Sequence, residues 1–315
     1  MKAKRLAMNQ NKTIKKVKAR WQLYLFLLLP VIYFCLFEYV PMYGIQLAFK
    51  NFNARLGIWD SEWIGLDNFK RFFGSYYFER TIVNTLRISL YSLVVSSAMS
   101  IIFALALNSM PWEKYKKIVQ MVTYMPHFIS TVLIVGILNM LLNPSVGLYG
   151  TIYSAVTGIY TPPKDILGMA EAFPHLYVWS GIWQGLGWNS IIYISALAGV
   201  DTELHEAARI DGATRFKRVL HIDIPSIAPT IVTLLILKCG SVMSIGFEKA
   251  YLMQNNLNLT TSEIISTYSY KVSFSSTVTD FGLSTAIGLF NNVINLILLI
   301  IVNTISKRVS ETSLW

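Results

Sequence analysis

Glu206-Ala-Ala-Arg-Ile-Asp-Gly-Ala-Thr-Arg-Phe-Lys-Arg-Val-Leu-His-Ile-Asp-Ile-Pro225 is a charged island between two strongly apolar segments. Leu204, Ala207 and Ala208 stand at i, i+3 and i+4, and Phe216, Val219 and Leu220 repeat that spacing beyond Gly212. The pattern reads as two short helices. Asp201 or Thr202 can cap the first, Gly212 can take the left-handed turn that ends it, and Thr214 can cap the second. Pro225 has no amide donor and suits the first turn of the helix that follows.

Outward from the island the chain is apolar. Hydrophobic residues make up 54% and charged residues 14% of the 315, too few charges for a soluble domain of this size. The expected fold class is an all-α membrane protein, and six runs are long enough to cross ~30 Å of hydrocarbon. They cover about 21–40, 82–108, 118–142, 176–199, 227–247 and 281–305. A basic arm (1–20) precedes them, the charged loop (200–225) joins the fourth to the fifth, and a short tail (306–315) follows. The run from Trp21 to Val40 is longer than a signal-peptide core and ends in Glu38-Tyr-Val-Pro41 with no small-residue cleavage site, so it is read as a span. With the N-terminus inside, seventeen Lys and Arg fall on the inner side and eight on the outer side, the latter spread over much more chain. The positive-inside rule therefore places both termini and Glu206–Pro225 in the cytoplasm. The formal charge of +10 belongs to that topology and not to a nucleic-acid surface.

The island resembles the coupling loop of permease subunits in bacterial ATP-binding-cassette importers, on Glu206, Ala207, Ala208, Gly212, Ile222 (also Ile224) and Pro225. Asp211 and Phe216 lie within the same segment. The resemblance implies a type I importer permease whose two short helices dock on an ATPase subunit and pass its closure to the membrane helices. Trp63-Ile-Gly-Leu-Asp-Asn-Phe69 with Asn84-Thr-Leu86 is similar to the segment before the second span in carbohydrate-importing members. Met125-Pro-His-Phe-Ile-Ser130, Gly246-Phe-Glu-Lys249 and the terminal Glu311-Thr-Ser-Leu-Trp315 look like the branch that takes up oligosaccharides from polysaccharides, including uronate-bearing ones. The implied partners are a second, homologous permease, an ATPase dimer, an extracellular sugar-binding (lipo)protein, an oligosaccharide and membrane lipid. The implied location is the bacterial plasma or inner membrane.

Candidate substrate contacts follow from depth and chemistry. Lys238 sits eleven residues into the fifth expected span, where an ionisable group is costly unless it faces a cavity or a partner, with Ser241 one turn away. Gln184 and Trp188 are i and i+4 on the fourth, placing an amide and a large ring on one stripe, the pairing that binds sugar hydroxyls and ring faces. His127, beside Pro126, either lines the same route or is satisfied by backbone carbonyls. Glu248 and Lys249 at the outer end of the fifth span either gate the pathway or receive a binding protein, or form an ordinary pair of interface charges. Ser180, Gly181, Gly185 and Gly187 would let neighbouring helices approach closely. Between two turn signals, Leu148 to Gly158 reads as a short interfacial helix, and ten aromatics between Phe49 and Phe78 read as an interface belt.

The sequence contains no Gly-x-x-x-x-Gly-Lys-Ser/Thr loop, so it is not expected to hydrolyse ATP; the resemblance implies that ATP and magnesium are held by the partner ATPase. Neither His-Glu-x-x-His, Gly-x-Ser-x-Gly nor Cys-x-x-Cys occurs, the four histidines form no close ligand pair, and Cys35 and Cys239 lie singly in apolar runs. No catalytic, cofactor or metal site is expected. The alternative is a secondary active transporter of a small polar solute, which more often shows repeated halves and acidic residues within spans.

Overall fold

The computed structural model describes residues 19–274 and 279–310, so nearly all of the basic arm and the terminal Glu311–Trp315 lie outside the described residues. Among the described residues the chain is mostly helical, with one two-stranded antiparallel sheet pairing Lys50–Asn51 (β1) with Glu62–Trp63 (β2). In chain order the main helices are α1 (Trp21–Phe49), α2 (Asp67–Phe73), α3 (Tyr76–Asn108), α4 (Glu113–Phe128), α5 (Thr131–Leu141) and α6 (Leu148–Thr157). They continue with α7 (Phe173–Ala198), α8 (Thr202–Ile210), α9 (Arg215–Cys239), α10 (Phe247–Met253), α11 (Ile265–Phe274) and α12 (Phe281–Ser310). By length and composition α1, α3, α9 and α12 can each cross a membrane, and α4 with α5 make a fifth span if the pair counts as one. The 26-residue α7 is less apolar, because Ser180, Gln184, Asn189, Ser190 and four glycines and prolines interrupt its Leu, Ile and Trp.

Two expected spans are not straight. The run 118–142 is broken: α4 and α5 meet at 98°, with Pro126 in the turn and Ser130 capping α5 through a bond from the Leu133 amide. The run 227–247 ends early, at Cys239, and the backbone turns through Gly240 to Gly246 before α10 begins. The second span starts sooner than expected, at Tyr76. Nor does Pro225 begin a new helix. The second short helix of the charged segment is the first turn of α9, which continues through a π-helical turn at Val219–Asp223 to Cys239. A π turn at Cys35–Tyr39 stands in the same relation to Pro41 in α1. A proline inside a helix removes one backbone bond and crowds the preceding turn, and widening that turn relieves both.

Three clusters hold the fold. Ile88, Phe173, Val178 and Ile182 join α3 to α7 and, through Ala250 and Val135, to α10 and α5. Ala104, Tyr193, Leu197 and Ile227 join the other ends of α3 and α7 to α9. Phe72, Met243, Ile265 and Ile287 draw α2 against α11 and α12. The aromatic-rich segment is thus more than a belt. Phe72 is fully buried, with Phe78 and Phe290 edge-on, Tyr268 stacked and Phe73 tilted against it. Burying such a ring contributes on the order of 1.5–3 kcal/mol. In contrast, every residue of α1 from Trp21 to Tyr43 is exposed.

Candidate functional site

The charged segment folds as its caps dictate. Asp201 accepts from the Glu203 amide and starts α8, Gly212 takes φ 77°, and Thr214 accepts from the Lys217 amide to start α9. A residue with a Cβ is strained at that φ, which is why glycine occupies the elbow. Apolar side chains on the segment are left uncovered: Ile210 is 87% and Phe216 70% exposed, and Leu204 is half exposed. Glu206, Ala207 and Asp211 are exposed beside them, with Ala208 half-buried.

Behind the elbow lies an anchor that sequence reasoning missed. Asp223, 3% exposed, places Oδ1 3.3 Å from His205 Nε2 of α8 and 3.4 Å from Asn108 Nδ2 at the end of α3. One carboxylate therefore ties the elbow to α3 and α9. The signal was available: an acid between Ile222 and Ile224, entering an apolar run, requires partners. Asn108, His205, Glu206, Arg209, Arg215 and Asp223 face a cavity of about 670 Å³ between elbow and helices.

The five expected substrate contacts fall into two groups. Gln184 Nε2 donates to the Ile129 carbonyl at 3.0 Å, where the α4–α5 bend leaves that group without a helical partner, and Trp188 lies flat on His127 with centroids 4.3 Å apart and 4° between planes. These three residues brace the bend. Lys238 and Ser241 are elsewhere, at the end of α9. They face a cavity of about 250 Å³ with Ser89, Ser92 and Ser96 of α3 and Asn189 of α7. Ser89, Ser92 and Ser96 stand at i, i+3 and i+7, a polar stripe that was legible as one helix face. Lys238 Nζ donates to Ser97 Oγ at 3.2 Å, and Ser241 Oγ donates to the Lys238 carbonyl.

The non-helical stretch beside this cavity is held from α12. Asn295 accepts from the Met243 amide at 2.9 Å and donates to Ser244 Oγ at 2.8 Å, while Asn291 also donates to Ser244. Irregular backbone within a membrane bundle persists where protein covers it or where it lines a cavity. Lys249, 8% exposed, donates to the Tyr177 carbonyl at 2.9 Å and lies over the Tyr177 ring. Among the described residues no cluster of His, Cys, Asp and Glu could hold a metal. Of the four small residues expected at helix contacts, Gly187 meets the Thr123 backbone and the Tyr124 ring of α4, and Gly181 leaves room for the Lys249 amine.

A helical bundle with discontinuous membrane helices and an exposed two-helix elbow describes a transport protein. Residues 96–311 match the family described as binding-protein-dependent transport system inner membrane component. The chain belongs to that family, as a permease of a sugar ATP-binding-cassette transporter. It is similar to Protein LplB of Bacillus subtilis, 38% identical with 94% of this chain and 91% of the relative covered. It is equally similar, at 38% with 96% and 92% covered, to the polygalacturonan/rhamnogalacturonan transport system permease protein YteP of Bacillus subtilis. Its fold is similar to a chain in the crystal structure of a bacterial alginate ABC transporter in complex with an alginate pentasaccharide-bound periplasmic protein. That match has TM-score 0.85 and 35% identity, with 95% of this chain and 99% of the other covered.

Proposed function

We propose that this chain pairs with a second permease to enclose one membrane pathway, through which a polysaccharide-derived oligosaccharide enters the cell by alternating access. α7 serves as the sixth span beside α1, α3, the α4–α5 pair, α9 and α12. Both termini and the elbow lie on the cytoplasmic side, where the excess of Lys and Arg argues for them. An ATPase dimer docks on Glu206, Ala207, Ala208, Asp211, Gly212 and Phe216, and a sugar-loaded extracellular binding protein delivers the substrate. The chain itself does no covalent chemistry; ATP and magnesium belong to the ATPase.

The observation that carries this reading is the elbow: apolar side chains exposed on its surface, and the buried Asp223 behind it bonded to His205 and Asn108. Exposed apolar groups amid charges mark a partner's seat. The anchor gives that partner's motion a rigid route into α3 and α9, the helices that flank the Lys238 cavity. The names of relatives matched across their length, which include polygalacturonan and alginate, support an oligosaccharide from a polysaccharide. The test is reconstitution with the second permease and the ATPase in proteoliposomes, screening oligosaccharide-loaded binding proteins. One such protein raises ATP turnover and drives uptake. Sugar uptake by this chain without ATPase or ATP contradicts the reading and returns a secondary transporter.

A further inference from the structure

We infer that the cavity at the break between α9 and α10 is a carboxylate subsite, in which Lys238 receives one acidic group of the transported sugar. The inference rests on the transport reading and specifies the substrate's charge. Lys238 has an amine in a membrane bundle and no acidic partner among the described residues; its one bond goes to the neutral Ser97. Such a cation is costly in hydrocarbon without a counter-charge. Every other group named on the cavity wall is neutral, and Ser92, Ser96 and Asn189 supply donors that a carboxylate and its neighbouring hydroxyls can use. A second amine lies one turn beyond the break. Lys249 is buried on Tyr177, itself on the cavity wall, and also lacks an acidic partner. Lys249 stands behind that wall and not on it, so Lys238 is the one charged group named around a hydroxyl-lined space, and it gives that space the field of an anion site.

Size fits a single unit of a chain. About 250 Å³ is below the ~300–1,000 Å³ of pockets that enclose a whole drug-sized ligand. The carboxylate would be read where the α9 helix stops, beside backbone that already departs from helical bonding. The test uses the full complex in proteoliposomes, with uptake at saturating loaded binding protein, trigalacturonate as the acidic probe and its carboxyl-reduced trisaccharide as the neutral one. Lys238→Gln is expected to slow trigalacturonate uptake by about tenfold or more, as loss of a charged hydrogen bond implies. The neutral sugar keeps its rate, and Lys238→Arg restores much of the acidic uptake. Equal loss for both sugars overturns the inference and assigns Lys238 to packing or to an acid on the second permease. A wild type that imports only the neutral sugar overturns it too. Should the wild type show no ATP-driven uptake of either, the transport reading falls, and this inference with it.

Discussion

Single residues fix where the helices meet. A Cβ at Gly187 would stand 2.6 Å from the Tyr124 ring and closer still to the Thr123 carbonyl, which is backbone and cannot swing away. Gly187→Ala should lower the melting midpoint of the detergent-solubilised protein, by the ~1–3 kcal/mol typical of overpacking. Gly181→Ala meets only the tip of Lys249, at 3.3 Å, and should leave the midpoint near that of the parent; equal shifts would contradict the assigned contact. Asn84 is a second such point. Its Nδ2 donates to the carbonyls of Thr260 and Glu263, and Glu263 in turn pairs with Arg80 and Lys271, so one amide organises the junction of α3 with the segment before α11. Asn84→Ala leaves two carbonyls unpaired and should cost about 1–3 kcal/mol of stability, read as a lower midpoint. An unchanged midpoint would show that the junction is held by the ion pairs alone.

Elements were legible in proportion to how locally they are determined. The caps at Asp201 and Thr214 and the left-handed Gly212 follow from neighbours within a few residues, and the structure has them. α6, with left-handed Gly158 at its end, follows likewise. The breaks in α4–α5 and α9–α10 do not, because the groups that satisfy them are distant in sequence: Gln184 reaches the Ile129 carbonyl across 55 residues and Asn295 reaches the Met243 amide across 52. Asp223 finds Asn108 across 115. Apolar run length registers spans, but it says nothing about where a side chain from another helix supports a turn. At this scale Asp201→Ala should loosen the first turn of α8 by about 1 kcal/mol. Hydrogen exchange at the amides of Glu203 and Leu204 would quicken; unchanged exchange would mean that packing, and not the cap, starts the helix.

At the scale of the whole molecule, two polar sites sit at the two ends of one helix. One is the elbow, with its anchor on Asp223; the other is the Lys238 cavity at the end of the same helix, α9. α9 thus begins on the elbow at Arg215 and ends at the cavity at Cys239, so a displacement at one end reaches the other through continuous helix. That continuity was hidden in the sequence, where Pro225 looked like a beginning. The exposed α1 leaves an apolar surface that lipid or the second permease would cover. The central claim is that the elbow transmits force between ATPase and pathway. Its most direct test is sugar-stimulated ATP turnover of the reconstituted complex carrying Glu206→Lys, at matched membrane levels of the subunit. The account predicts that stimulation is abolished while the subunit stays in the membrane; stimulation at the wild-type level would contradict it.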